Sequence, residues 1–165
     1  MVSELTLSHN NDDPWWSRVA YPEHTKWVET LADIKQDIKK WLRVCCCIRK
    51  IYFTQHGGVP GTLALGPGQI SISEIERIEN ELDEARKRER EKGIKRELDF
   101  LNFVSKFMCQ SGKVVFVQCN TGSGPDGKEL KEWLGGVFGS DVDITLYEEG
   151  VKWFYGFPKT CSMKE

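Results

Sequence analysis

The segment Lys113-Val114-Val115-Phe116-Val117-Gln118 constrains the fold more than any other stretch of the chain. Four consecutive apolar residues leave no solvent face, which is the pattern of a strand buried on both sides. Such strands sit inside parallel sheets covered by helices. A second short run, Ile48 to Gln55, is rich in β-formers and reads as a companion strand. Both runs end in glycine-rich loops, His56-Gly57-Gly58-Val59-Pro60-Gly61 after the first and Cys119-Asn120-Thr121-Gly122-Ser123-Gly124 after the second.

The remaining chain supplies helices to cover such a sheet. From Pro22 onward, Trp27, Leu31, Ile34, Ile38, Trp41 and Leu42 recur at spacings of three and four, predicting an amphipathic helix with Lys39, Lys40 and Arg43 near its end. Thr62–Leu65 and Gln69–Ile72 flank Gly66-Pro67-Gly68 and predict a small hairpin. Ser71 or Ser73 is the expected N-cap of a helix with Ile72, Ile75, Ile78, Leu82 and Ala85 on one face. Charges crowd between Arg86 and Arg96, where Gly93 interrupts, and a solvated helix end or protruding loop is expected. Phe100, Leu101, Val104, Phe107 and Met108 then resume the helical period.

Beyond the second glycine loop, Asp126 and Glu129 form a capping box ahead of the stripe Leu130, Trp133, Leu134, Val137 and Phe138, which Gly139 closes. Val142–Tyr147 and Val151–Tyr155 supply the last strands. Residues 1–20 read as irregular, broken at Asn10-Asn11-Asp12-Asp13-Pro14, with a short strand at Leu5 and Leu7 and with Trp15 and Trp16 capping a core edge. Residues 21–165 are expected to form one α/β domain. Its sheet is mainly parallel and flanked by helices, with a small β-hairpin after the histidine loop.

At 165 residues with 39% hydrophobic and 29% charged side chains, the chain can bury a core unaided. A formal charge of −2 gives no electrostatic case for nucleic acid or an acidic membrane. No apolar stretch approaches the roughly 18–20 residues that span a bilayer. Met1 to Asn10 lacks the basic and apolar regions of a secretory leader, so a cytoplasmic location is expected. The consecutive Cys45, Cys46 and Cys47 suit neither a disulfide framework nor a tetrahedral metal site, and no C-x-x-C pair occurs. These thiols are expected to be reduced, with Cys109 and Cys161 structural or incidental; no metal site and no cofactor are expected.

Crossovers between parallel strands are right-handed, so the strands ending at His56 and Cys119 should run the same way. Ligands of open α/β sheets bind at the carboxyl ends of the strands. A thiolate there is a nucleophile, and a histidine takes or gives a proton near neutral pH. Gly57 lets backbone approach a substrate closely, and its N–H with that of Cys119 can serve as oxyanion donors. The bland alternative is a buried thiol and a turn histidine that both fall in loops. Gly122 to Lys128 also satisfies G-x-x-x-x-G-K, the outline of a phosphate-binding loop, but Glu129 stands where a magnesium-binding hydroxyl belongs and Pro125 removes a backbone donor. A phosphatase-type loop fails as well, because Pro125 occupies the place of its arginine.

The run Ile51-Tyr52-Phe53-Thr54-Gln55-His56-Gly57-Gly58-Val59-Pro60-Gly61-Thr62-Leu63-Ala64-Leu65-Gly66 resembles the histidine motif of a bacterial caspase-like domain family of uncharacterised function. Val114 to Cys119, followed by Asn120, Gly122, Gly124 and Gly127, is similar to that family's strand–cysteine–glycine–helix motif, and Phe138 to Val142 and Trp153 also fit. The resemblance covers roughly residues 48 to 155. It implies a caspase-like cysteine peptidase, with His56 as general acid/base, Cys119 as nucleophile and an oxyanion hole at the Gly57 and Cys119 amides. Gly58, Gln118 and Asn120 are the expected contacts to a protein or peptide substrate. Gln118 departs from the small residue caspases tend to carry before the cysteine, and no arginine cluster marks a substrate pocket. The chain is short, so a protein partner could supply part of the substrate site. The alternative is a non-catalytic caspase-like module that binds a protein partner.

Overall fold

The computed structural model describes residues 4–9, 25–28, 30–43, 47–55, 57–149, 151–154 and 157–160. In chain order the elements are β1 (Glu4–His9), β2 (Thr25–Val28), α1 (Leu31–Leu42), β3 (Ile48–Thr54), β4 (Thr62–Leu65) and β5 (Gly68–Ser71). There follow α2 (Ile72–Glu79), α3 (Glu84–Ser105), β6 (Met108–Val117), α4 (Gly124–Phe138), β7 (Asp143–Leu146), β8 (Val151–Phe154) and β9 (Phe157–Thr160).

Five strands form one sheet in the order β2-β1-β3-β6-β7, and every neighbouring pair is parallel. Side chains are described for three of them, β3, β6 and β7. This is the predicted α/β architecture, with β4 and β5 forming the predicted antiparallel hairpin outside the sheet. β8 and β9 pair with each other as a further antiparallel ribbon.

The apolar run of β6 is buried as its pattern requires. Val114 and Phe116 join Ile51, Phe53 and Ile144 in one cluster with residues of α1, α2, α3 and α4. Phe53 stacks on Phe116 at 5.3 Å between ring centroids and meets Phe100 of α3 edge-on at 5.6 Å. Val115 and Val117 alternate with those residues and are buried outside that cluster. Removing each such side chain from water contributes about 1.5–3 kcal/mol, which locks the register of β6.

Several local expectations need correction. The helix predicted from Pro22 begins only at Leu31, and Thr25–Val28 pairs in parallel with β1. The N-cap hydroxyl is that of Ser71, which accepts from the Glu74 N–H at 3.3 Å. That helix ends at Glu79, leaving Leu82 95% exposed rather than on its buried face. The charged stretch is not a loop: it begins in the solvated first turns of α3, which runs unbroken through Gly93. Ile94, Glu97, Phe100, Leu101 and Val104 give it a continuous buried stripe, which outweighs the roughly 1 kcal/mol cost of an interior glycine. α4 starts at Gly124 with Ser123 as N-cap and proline in its first turn, so Asp126 and Glu129 make no capping box.

One pair of cysteines is not reduced: Cys47 and Cys109 form a disulfide across 62 residues of sequence. Ile48 pairs with Met108, which brings the cysteine before one and the cysteine after the other to a Cα separation of 5.1 Å. Trp15, Trp16, Cys45, Cys46, His56, Tyr155 and Cys161 lie outside the described residues, as do the side chains of Trp27, Trp41 and Trp153.

Candidate functional site

β3 and β6 lie side by side and parallel, so their carboxyl ends open on the same edge of the sheet. The ladder runs in register from Ile51–Val114 to Thr54–Val117, and the Gln55 N–H reaches the Val117 carbonyl at 3.5 Å. In sequence, Gln55 and Gln118 directly follow Thr54 and Val117, the last paired residues, and His56 and Cys119 come after them. His56 itself is outside the described residues, but Gln55 and Gly57 on either side of it are described.

Gly57 packs directly on the cysteine loop. A Cβ there would stand 2.8 Å from the Cys119 carbonyl oxygen, 2.8 Å from the Gln118 Cβ and 2.9 Å from Thr121 Oγ1. Backbone on one side and a buried side chain on the other leave no room for it, so glycine is required for this approach. At the far end of the same turn, the Gly61 N–H donates to the Thr121 carbonyl at 3.0 Å. The histidine turn is therefore fastened to the cysteine loop at both ends.

Cys119 is a half-buried thiol outside any disulfide. Its loop is pinned from the other side by the chain that leaves β7. Asn120 N–H donates to Glu149 O at 3.3 Å, Gly122 N–H donates to Tyr147 O at 2.8 Å, and Ser123 Oγ–H donates to Glu148 O. Thr121 is fully buried, and its hydroxyl donates to the Cys119 carbonyl at 3.5 Å. Asn120 takes a left-handed conformation with φ 58°, which a short amide side chain tolerates better than most. Burial, and after it the charge of nearby Tyr52, hold the Tyr147 phenol above its ordinary value of 10.0. On the helix side, a hydrogen bond to Glu76 and the like charge of that carboxyl raise Glu129, which is fully exposed.

The residues expected to contact substrate divide. Gly58 is exposed and Asn120 half-buried, so both border the loops. Gln118 is 1% exposed, and its amide is engaged inside the protein: Oε1 accepts from Ala64 N–H at 2.9 Å and Nε2 donates to Ala64 O at 2.7 Å. Gln55 does the same one strand over. Its Oε1 accepts from Gly66 N–H at 2.8 Å and its Nε2 donates to Gly66 O at 2.7 Å. Gln55, Gly61 and Thr121 were not singled out from sequence. For Gln55 the only signal was its place at a strand end beside His56.

The phosphate-loop reading of Gly122 to Lys128 loses its donors. The N–H groups of Gly122, Ser123 and Gly127 point at the carbonyls of Tyr147, Asn120 and Ser123. Gly127 also lies so close to Gly122 that a Cβ would stand 2.1 Å from its carbonyl carbon, so this glycine serves helix–loop packing. Among the described residues no group of three or more His, Cys, Asp or Glu side chains is placed to hold a metal ion. Among them, too, no helix is long and apolar enough to cross a membrane. Comparison with the models of known protein families and with curated proteins finds no match to this chain.

Proposed function

We propose that this chain is a caspase-like cysteine peptidase domain that cleaves a peptide bond by acyl transfer through Cys119. The observation that carries the reading is the contact of Gly57 with the Cys119 carbonyl, at the carboxyl ends of two adjacent parallel strands. It brings the immediate sequence neighbour of His56 against the cysteine, in the position where α/β sheets bind ligands.

In this reading His56 removes the thiol proton, and the Cys119 sulfur attacks the scissile carbonyl carbon. The carbonyl π bond opens to an oxyanion, which the Gly57 and Cys119 amides stabilise. When the oxyanion collapses, the carbon–nitrogen bond breaks and the histidine proton leaves with the amine, so a thioester remains. Water, deprotonated by the same histidine, then adds to the thioester, releases the carboxylic acid and restores the thiol. The substrate is a protein or peptide, with Gly58 and Asn120 at the edge of the cleft. No metal or cofactor takes part.

The test is labelling with a cysteine-directed peptidyl electrophile across pH, with the modified residue located by mass spectrometry. Rapid modification confined to Cys119 is expected, abolished in Cys119→Ala and slowed about 100-fold or more in His56→Ala. Slow labelling spread over several thiols, unchanged in His56→Ala, would sink the peptidase and favour the non-catalytic protein-binding module.

A further inference from the structure

We infer that Gln55 and Gln118 are positioning residues, which hold the histidine and cysteine loops in register by gripping one arm of the β4–β5 hairpin. The inference rests on the peptidase reading and deepens it.

A side-chain carboxamide has the donor and acceptor of a peptide group, so it can continue a β-ladder where no strand is present. Both glutamines use their amides in this way. Gln118 holds the N–H and C=O of Ala64, and Gln55 holds the N–H and C=O of Gly66. Ala64 lies on β4 and Gly66 directly follows that strand as the first residue of the turn, so the two glutamines take hold of neighbouring points on one arm of the hairpin. β4 is in turn paired with β5. The hairpin thus becomes a common strut. That arm is gripped from β3 by the residue before His56 and from β6 by the residue before Cys119.

The grip also closes the histidine turn on itself. Residues 55 and 66 are joined through the Gln55 amide, and between them Gly57 and Gly61 touch the cysteine loop. Any movement of the hairpin is therefore transmitted to both loops together. A displacement of about 1 Å between a base and its nucleophile costs on the order of 100-fold in rate, so a shared strut of this kind has a kinetic consequence. Methionine has nearly the same length as glutamine and cannot hold either backbone group.

The experiment compares native protein with Gln55→Met and Gln118→Met in the Cys119 labelling rate as a function of pH. Val104→Ala, in the helical layer far from the loops, controls for loss of stability alone. Hydrogen exchange of the Ala64 and Gly66 amides reports the grip directly. The expected result is faster exchange at Ala64 in Gln118→Met and at Gly66 in Gln55→Met. With it, labelling at neutral pH should fall at least about tenfold, and its pH profile should approach that of His56→Ala. Val104→Ala should keep the native profile. Native labelling and profile in both glutamine variants, despite faster exchange, would overturn the positioning role and leave the peptidase standing. Slow labelling of native protein that ignores His56→Ala would remove both. If Gln118→Met fails to fold, the half-buried Gln55 carries the comparison alone.

Discussion

The two ends of the β3–β6 pair are held together by opposite means. At the amino end the ladder is broken: between Ile48 and Lys50 the chain advances two residues on β3, while between Met108 and Lys113 it advances five on β6. The extra residues include Ser111, with φ 58°, and they lie beside the Cys47–Cys109 disulfide. At the carboxyl end the register is regular to its last pair, and among the described residues the loops beyond it are fastened by hydrogen bonds and the close packing of Gly57. A bulge removes ladder bonds, and here a covalent bond stands where they are missing. The regular end keeps its cysteine as a thiol. Nine residues lie between Cys109 and Cys119, and the regular ladder from Lys113 to Val117 alone spans roughly 13 Å at the usual strand rise, so the two sulfurs cannot exchange partners while the sheet is formed.

Cutting the disulfide is the severest way to break this comparison. A cross-link closing 62 residues contributes about 4 kcal/mol on the chain-entropy account. Urea unfolding with and without a reductant, or of Cys47→Ser, should show a loss of that order. While the protein remains folded, the labelling rate of Cys119 should change less than about twofold, because the regular ladder insulates the loops. A parallel fall in labelling in folded protein would show that the two ends are mechanically joined.

Gly57→Ala attacks the other end. The new methyl would meet the Cys119 carbonyl oxygen at 2.8 Å, so one of the two loops must shift. A loss of about 2–3 kcal/mol in chemical denaturation is expected, typical of forced overpacking. Unlike disulfide reduction, this substitution should slow Cys119 labelling in the folded state. Equal stability and labelling would mean that the loops give way freely, against the pinned arrangement described above.

The glutamines rank next and differ from each other. Gln118→Met leaves the Ala64 N–H and C=O without their partner in a buried setting, a cost of about 2 kcal/mol. Gln55 is half-buried, so water can replace part of its grip on Gly66, and Gln55→Met should lose only about 1 kcal/mol. Thermal unfolding of both variants checks the order. The reverse order would place the main support of the hairpin at Gly66 and not at Ala64.

What could be read from the chain followed the range of the interactions. The β6 run, the β4–β5 hairpin and the helix faces of Ile72, Ile75 and Ile78 or of Leu130 and Leu134 depend on neighbours a few residues away, and periodicity reports those. Thr25–Val28 was hidden in a helical period because its strand character comes from pairing with β1. The disulfide was illegible because it depends on a bulge that no pattern announces. The Gln118–Ala64 grip spans 54 residues, so from sequence the glutamine reads as a substrate contact at a strand end. At the site, the glycine-rich cysteine loop follows β6 as the apolar run predicts, whereas the packing of Gly57 on that loop and the glutamine framework depend on contacts distant in sequence.

The smallest test separates the ends by backbone alone. Among the described residues each carries one non-glycine residue in the left-handed region, Ser111 in the bulge and Asn120 in the cysteine loop, both at φ 58°. A serine Cβ in that conformation costs about 1 kcal/mol or more, whereas asparagine is tolerated. Glycine relieves the strain but returns part of the gain through the greater freedom of the unfolded chain. Ser111→Gly should therefore stabilise the protein by about 0.5 kcal/mol, and Asn120→Gly should change it by less than that in either direction. Asn120→Gly has a second readout, because Asn120 is an expected substrate contact. If it weakens binding of the peptidyl electrophile with stability unchanged, then its amide serves the substrate and its backbone merely permits the turn. If instead it destabilises the loop while binding holds, then Asn120 belongs with Thr121 among the residues that brace the cysteine.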